Sequence, residues 1–270
     1  MQGKVVIITG ASSGIGRATA IEFARRGASV SISARRKNEL DDLQKEITSA
    51  GGKCFSVVAD VSSEEDCRKI ISETVMEFGK LDVLVNNAGI SMRAMFNELE
   101  IGVIQKLMAV NFWGTVFCTK QALPHLLKTK GSIVGVSSIA GFKGLPARTG
   151  YSASKFAMQG FLESVRIEHL HDGLHVLLIC PGFTASNIRN IALNSSGNQQ
   201  GDSPLEEKKL MSAEQVAFHL VNGVIRKKRT IILTTQGKLT VLLNKFFPAM
   251  MDRLVWKHFA KEPDSPLGKK

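Results

Sequence analysis

The stretch Lys4-Val5-Val6-Ile7-Ile8-Thr9-Gly10-Ala11-Ser12-Ser13-Gly14-Ile15-Gly16 begins as a short, β-branched apolar run. From Lys4 to Thr9 it has the pattern of a buried strand. A glycine-rich turn follows, and from Arg17 to Arg26 the apolar residues Ala18, Ile21, Phe23 and Ala24 recur at helical spacing. That order creates a place for an anion. Without Cβ atoms in the way, backbone can approach a pyrophosphate, and the helix N-terminus aims free N–H groups at it. A glycine cluster alone is a tight turn. In this context it predicts a dinucleotide site made of Gly10, Ser12, Ser13, Gly14, Ile15 and Gly16.

Ser29 to Ala34 reads as the second strand. Dinucleotide sites of this kind place an acidic residue about twenty positions past the glycines, on the ribose 2′-hydroxyl. Here the chain has Arg35-Arg36-Lys37 instead. A carboxylate would repel a 2′-phosphate, whereas a guanidinium clasps it, so Arg35 and Arg36 point to NADP(H) over NAD(H). The competing reading makes these cations the start of a solvated helix. Lys53 to Ala59 is the third strand, ending at Asp60-Val61. Asp60 there either meets the adenine or serves the turn ahead of Ser62-Ser63-Glu64-Glu65.

Strand and helix go on alternating. The helix Glu39 to Ala50 closes on Gly51-Gly52, and another helix runs to Phe78. The strand Leu81 to Val85 is broken by Asn86-Asn87-Ala88-Gly89, residues suited to a turn. A helical region from Leu99 to Leu127 carries Asn111. Ser132 to Ser138 is strand five, Gly150 to His171 a helix, and Leu174 to Cys180 strand six, halted by Pro181-Gly182. Ala213 to Ile225 is a further helix and Thr230 to Thr234 a seventh strand. Such alternation predicts an α/β fold: a parallel sheet with helices on both faces. No internal repeat interrupts it, so residues 1–270 are expected to form one domain. Between residues 187 and 211 Asn, Ser, Gly, Gln and Asp dominate. That stretch is either a lid over a site or a plain polar excursion.

Tyr151 is the only tyrosine in 270 residues, and Lys155 follows it by four. On a helix these positions share a face one turn apart. A free phenol has a pKa of about 10, and a neighbouring cation favours the phenolate. The pair therefore suits general acid–base work, which is efficient when the catalytic pKa nears the working pH. Alone, a Tyr-x-x-x-Lys spacing also describes a solvated helix face.

Together, Thr9-Gly-x-x-x-Gly-x-Gly16, Asn86-Asn-Ala-Gly89, Ser138 thirteen residues before Tyr151, and Tyr151-x-x-x-Lys155 resemble the short-chain dehydrogenase/reductase family. The likeness runs from residue 4 to about 235 with every motif in order. It implies a Rossmann-type, doubly wound, seven-stranded parallel sheet. It also implies that Tyr151 exchanges a proton with a carbonyl or alcohol, and that Lys155 lowers its pKa and binds the nicotinamide ribose. Ser138 would polarise the substrate oxygen, and Asn111 would hold a relay water. Asn87, Ala88, Gly89, Pro181, Gly182, Thr184 and Ser186 would complete the cofactor site. Where the family carries threonine this chain has Ser186, and nearby Thr184 leaves that assignment open. Of Ser137 and Ser138 only one can face the site, because successive strand residues point to opposite faces.

Composition narrows the rest. Hydrophobic residues at 44% and charged residues at 22% fit an ordinary globule. The four cysteines are scattered and the histidines lack metal spacing, which suggests free thiols in a reducing compartment and no metal. Met1 leads almost directly into the first strand, so no signal peptide is expected and a cytoplasmic setting is. Of the net charge of +11, the segment from Arg226 onward carries +8, with eleven Lys/Arg against three Asp/Glu. A uniformly basic nucleic-acid binder is thereby disfavoured. Within that tail Leu239, Leu242, Leu243, Phe246, Met250 and Leu254 recur at helical spacing, with Pro248 expected to kink or divide the helix. The extension at 238–261 has three readings: packing on the domain or a sister subunit, a lid over an apolar mouth, or a membrane-surface contact. Hydroxysteroid and lipid-ketone reductases of the family carry comparable basic, apolar C-termini. Met92, Met95, Phe142, Leu145 and Phe183 would make a greasy cleft, so a lipophilic carbonyl or alcohol substrate is expected. The expected assembly is a homodimer or homotetramer. A non-catalytic dinucleotide sensor on the same fold is the alternative.

Overall fold

The computed structural model describes residues 1–184, 188–201 and 210–268. Its strands are β1 (Val5–Thr9), β2 (Ser29–Ala34), β3 (Lys53–Val58), β4 (Val83–Asn86), β5 (Ser132–Val136), β6 (His175–Cys180) and β7 (Thr230–Ile232). They form one seven-stranded sheet in the order β3-β2-β1-β4-β5-β6-β7. Every neighbouring pair is parallel. Because β2 and β3 extend to one side of β1 while β4 onward extend to the other, the order reverses between β1 and β4. The connections leaving those two strands diverge and open a crevice at their C-terminal ends.

The helices are α1 (Gly14–Arg25), α2 (Lys37–Ser49), α3 (Glu64–Phe78), α4 (Ile101–Leu107), α5 (Gly114–Thr129), α6 (Thr149–Glu168), α7 (Ala213–Ile225), α8 (Thr235–Phe246) and α9 (Pro248–Ala260). The apolar runs of β1, β4 and β6 follow from burial on both faces, and Ser31 and Ser33 of β2 are buried with them. On one side Val6 and Ile8 of β1 pack with Phe23 of α1, Leu43 of α2 and Leu220 of α7. Ile7, pointing the other way, packs with Ile70 of α3, Leu126 of α5 and Leu162 of α6. Complete burial of each such side chain contributes about 1.5–3 kcal/mol. These two layers fix α1 and α6, the helices that carry the glycine turn and Tyr151.

Most boundaries move by one to three residues, and three differences bear on the site and the tail. Helix α1 starts at Gly14, inside the glycine turn. The predicted seventh strand stops at Ile232, since Thr234 caps α8 by accepting from the Gly237 N–H. The long helix predicted over 99–127 is interrupted by a π-helical turn, Met108–Trp113, between α4 and α5. A π turn changes the hydrogen-bond span without disturbing the apolar periodicity enough to be seen. By length and composition Ile101–Thr129 could cross a membrane. Here it packs on β4, α3 and α6. The break expected at Pro248 is present: it is the first residue of α9.

Candidate active site

The glycine turn is closed by its neighbours. Gly10 has φ +66°, and a Cβ there would lie 2.7 Å from Ala88 Cα; one on Gly16 would lie 2.4 Å from Asn87 Nδ2. Asn87 donates from Nδ2 to the carbonyls of Thr9 at 2.8 Å and Gly10 at 3.1 Å. Thr9 Oγ1 in turn accepts from the N–H groups of Asn87 and Ala88, both at 3.1 Å. Asn87 thus uses its amide as a brace for the turn. Thr9, which opens the glycine motif and to which sequence reasoning assigned no role of its own, is the other half of that brace.

The turn fits a dinucleotide. Ser13, at the N-cap of α1, makes no side-chain cap bond, and the first turn contains no acidic residue. The leading N–H groups and the positive helix end therefore face the crevice without an internal anion. Arg36 Nη2 donates to Ser12 Oγ at 2.8 Å and Ser13 Oγ at 3.0 Å, placing its guanidinium beside the turn. Arg35 lies 3.5 Å from the Asp60 carboxylate. Asp60 accepts from the Ser62 N–H and hydroxyl, the turn arrangement foreseen as one of its two readings. Partial burial pushes its carboxyl up, but the Ser62 bonds and Arg35 outweigh that and hold it below the usual range. Ser63, not Asp60, caps α3. Val61 is buried against Gly114.

Across the crevice, α6 starts at Thr149 and presents Tyr151 and Lys155 on one face. Lys155 is buried, and its Nζ donates to the Val136 carbonyl at 2.8 Å. It stands 5.8 Å from the centre of the Tyr151 ring. Asn111 is fully buried in the π turn: Nδ2 donates to Ile90 O at 3.0 Å and Ser154 Oγ at 2.9 Å, and Oδ1 accepts from the Ile90 N–H at 2.8 Å. A Cβ on Gly89 would lie 3.2 Å from Asn111 Oδ1 and 3.5 Å from Lys155 Nζ, so the three residues meet at one point. Ser138 Oγ accepts from the Ala140 N–H at 3.2 Å and also interacts with the Tyr151 hydroxyl. Ser137 faces away, accepting from Gln159 Nε2 at 2.8 Å. The two serines point to opposite sides, as strand alternation requires.

The charge balance differs from the expectation. Burial raises the Tyr151 phenol above its ordinary value, although Ser138 and the nearby Arg148 and Arg189 pull it back. Burial lowers the Lys155 ammonium to about 8. A lysine expected to depress the phenol is itself desolvated and turned toward Val136. Desolvation of the phenol outweighs the pull of Ser138, Arg148 and Arg189.

The substrate side is more enclosed than an open cleft. Met92 is buried in a small cluster with Leu99, Leu107 and Leu193, against which the Tyr151 ring packs. Met95, Phe142, Leu145 and Phe183 are half-buried. Within the predicted loop region, Leu193 exchanges backbone hydrogen bonds with Ser91 and Arg93, so residues 188–201 lie along the segment after β4. Pro181 and Gly182 follow β6, and the carbonyl of Pro181 accepts from the Ile139 N–H at 3.3 Å. Thr184 is buried and donates to the Gly182 carbonyl at 3.3 Å. Ser186, residue 187 and residues 202–209 lie outside the described residues.

A family model described as short chain dehydrogenase matches residues 4–195. The chain belongs to the short-chain dehydrogenase family. Among its relatives, 11-beta-hydroxysteroid dehydrogenase 1A of Arabidopsis thaliana is 38% identical over 260 residues, 93% of this chain and 74% of that one. A similarly named protein of Sesamum indicum, 11-beta-hydroxysteroid dehydrogenase A, is 36% identical over 99% of this chain and 80% of its own. Among solved structures, an alcohol dehydrogenase from Thermococcus sibiricus complexed with 5-hydroxy-NADP superposes with a TM-score of 0.75 at 26% identity. It covers 85% of this short-chain dehydrogenase and 95% of the archaeal chain. A Burkholderia phymatum family member in complex with NAD superposes with a TM-score of 0.82 over 92% of this chain and 95% of its own; at 23% identity it speaks for the fold alone.

Proposed function

We propose that this short-chain dehydrogenase is an NADP(H)-dependent oxidoreductase that interconverts a lipophilic ketone and its secondary alcohol, with Tyr151 as the general acid and base. The observation that carries the reading is the convergence of Tyr151, Ser138, Lys155 and Asn111 opposite an uncapped glycine turn. The nicotinamide cofactor, when bound, supplies or accepts the hydride. Gly10 to Gly16 would hold its pyrophosphate, Arg36 and Arg35 its 2′-phosphate, Lys155 its nicotinamide ribose, and the segment Pro181 to Ser186 its carboxamide.

The protein's own groups handle the proton. A phenol raised by burial keeps its proton at neutral pH, which is the form that can donate to a developing alkoxide. Ser138, within reach of that phenol, would place a second donor on the same oxygen, where preorganised hydrogen bonds matter most. Lys155 and Asn111 fix the floor beneath them. The half-buried Met95, Phe142, Leu145 and Phe183 support an apolar substrate, as do relatives named hydroxysteroid dehydrogenases. Exposed Trp113 and Phe156 on the outer surface support a homodimer. A panel of compact, alkyl and steroid ketones scored by NADPH oxidation tests the reading. Turnover of apolar ketones with NADPH is expected; activity confined to hydrophilic substrates, or to NADH, would contradict it.

Arrangement of the C-terminal helices also favours a peripheral membrane contact as a second property. Leu239, Leu242, Phe246, Phe247, Met250, Leu254 and Trp256 are all exposed and lie among Lys238, Lys245, Arg253 and Lys257. An amphipathic surface with flanking cations suits an anionic bilayer. Sedimentation with anionic but not neutral vesicles is expected, and no binding to either would reject it.

A further inference from the structure

The C-terminal tail is strongly basic, yet one of its few acids is buried. Glu262 follows α9, and its side chain is only 3% exposed. Arg148 Nη2 donates to both of its oxygens, at 3.0 and 2.9 Å, and Arg93 Nε lies 3.5 Å away, an ion-pair separation. Arg93 also donates from Nη2 to the Pro263 carbonyl at 2.5 Å. The Arg148 guanidinium sits 4.5 Å above the Phe259 ring. A buried carboxylate between two arginines ties them in a fixed geometry, because neither partner can be left uncompensated away from water.

The partners come from the rim of the proposed site. Arg93 neighbours Met92 on the segment after β4, and Arg148 is the N-cap of α6, three residues before Tyr151. The same arm reaches a third rim segment: His258 stacks on Phe183, after β6, with ring centres 5.8 Å apart, and Phe259 packs 6.4 Å from it. Lys143, in the loop before α6, pairs with Asp252 of α9. Met251 and Phe259 of α9 are buried, but neither belongs to the two clusters flanking the sheet. The arm is therefore a separate wall held by polar clasps, not an extension of the core.

We infer that Glu262 is a specificity-determining positioning residue, whose carboxylate locks α9 as the outer wall of the cleft that takes elongated apolar ketones. This rests on the ketone reading above. A compact ketone needs only the Tyr151–Ser138 end of the cleft. An elongated one would lie against Phe183 and the arm behind it. Losing the clasp should therefore raise the KM of the long substrate and leave the dinucleotide site unchanged. Arg148 also helps to hold the Tyr151 phenol down, so an effect on the proton donor would fall on the kcat of both ketones alike.

The test measures kcat and KM with NADPH for cyclohexanone and for a steroid ketone, together with NADPH affinity, in wild type, Glu262→Gln and Glu262→Asp. For Glu262→Gln the KM for the steroid ketone should rise about tenfold. Its KM for cyclohexanone and its NADPH affinity should stay within about twofold, and Glu262→Asp should recover part of the loss. Equal KM changes for both ketones, or none, would overturn the inference. Should Glu262→Gln fail to fold, the exposed His258→Ala keeps the clasp and removes the Phe183 stack; the same split is expected there, and its absence counts against the inference. Wild-type turnover of neither ketone would sink the ketone reading itself, whereas normal wild-type turnover without the split sinks only the role of Glu262.

Discussion

Lys155 Nζ donates to the main-chain carbonyl of Val136 at 2.8 Å, joining the helix that carries Tyr151 to the strand that ends just before Ser138. The bond sets the register of donor and acceptor sides of the site, but it keeps a cation out of water. Burial lowers the lysine from 10.5 to about 8. Below pH 8 both folded and unfolded chains carry the proton, and the fold bears the whole cost of burying it, about 3 kcal/mol. Between 8 and 10.5 the unfolded chain binds more protons than the folded one, so this contribution to stability rises with pH. Lys155→Met should consequently be inactive yet at least as stable as wild type at pH 7. Urea denaturation at pH 7 and pH 9.5 checks this: the variant's advantage should shrink at the higher pH, and a constant difference would contradict the assignment.

Asn111 spends three hydrogen bonds on Ile90 and Ser154 from a fully buried position. Asn111→Leu strands the Ile90 N–H and carbonyl in a dry site, which should destabilise the fold by about 2–4 kcal/mol. A fall in Tm with kcat lowered more than KM is expected. Unchanged stability would mean that the π turn does not depend on this amide.

Gly16→Ala should abolish dinucleotide binding. A Cβ there meets both Asn87 Nδ2 and the Gly10 carbonyl oxygen at 2.4 Å. Relief requires the turn to move, and such overpacking costs about 1–3 kcal/mol. Loss of the fluorescence change on NADPH addition reads it directly; retained affinity would show that the turn adapts.

The two arginines after β2 should differ. Arg36 rests on Ser12 and Ser13 at the turn and pairs with Glu39 at 3.1 Å, while Arg35 is paired with Asp60 at 3.5 Å and makes no hydrogen bond to the turn serines. Arg36→Asp is expected to weaken NADPH binding at least about tenfold and leave NADH within about threefold. Equal losses for both cofactors would reject a 2′-phosphate role.

Much of this architecture could be read from the chain because burial on both sheet faces leaves apolar runs such as Val5–Ile8 and Val176–Cys180, and parallel connections demand helices between them. The glycine turn was legible because few other sequences satisfy its close contacts with Ala88 and Asn87. Alternation says that only one of Ser137 and Ser138 faces the site, and the thirteen-residue spacing to Tyr151 points to Ser138. The π turn around Asn111 could not be read, since it shifts hydrogen bonds rather than side-chain spacing. Nor could the raised phenol: proximity along a helix reveals the cation, while desolvation depends on everything packed around both groups. Glu262 was hidden for a similar reason. Among eleven basic residues each of the tail's three acids looks solvated, and the partners of Glu262, Arg93 and Arg148, lie more than a hundred residues upstream. The tail packs on the domain through the Lys143–Asp252 and Arg148–Glu262 pairs and leaves an apolar stripe exposed.

The central claim is that the Tyr151 hydroxyl delivers the proton. Steady-state NADPH oxidation with an apolar ketone, compared between wild type and Tyr151→Phe, tests it with a single oxygen removed and the packing against Met92 and Leu107 kept. Turnover should fall by about a hundredfold or more while NADPH affinity stays within about twofold. Wild-type kcat in Tyr151→Phe would contradict the account.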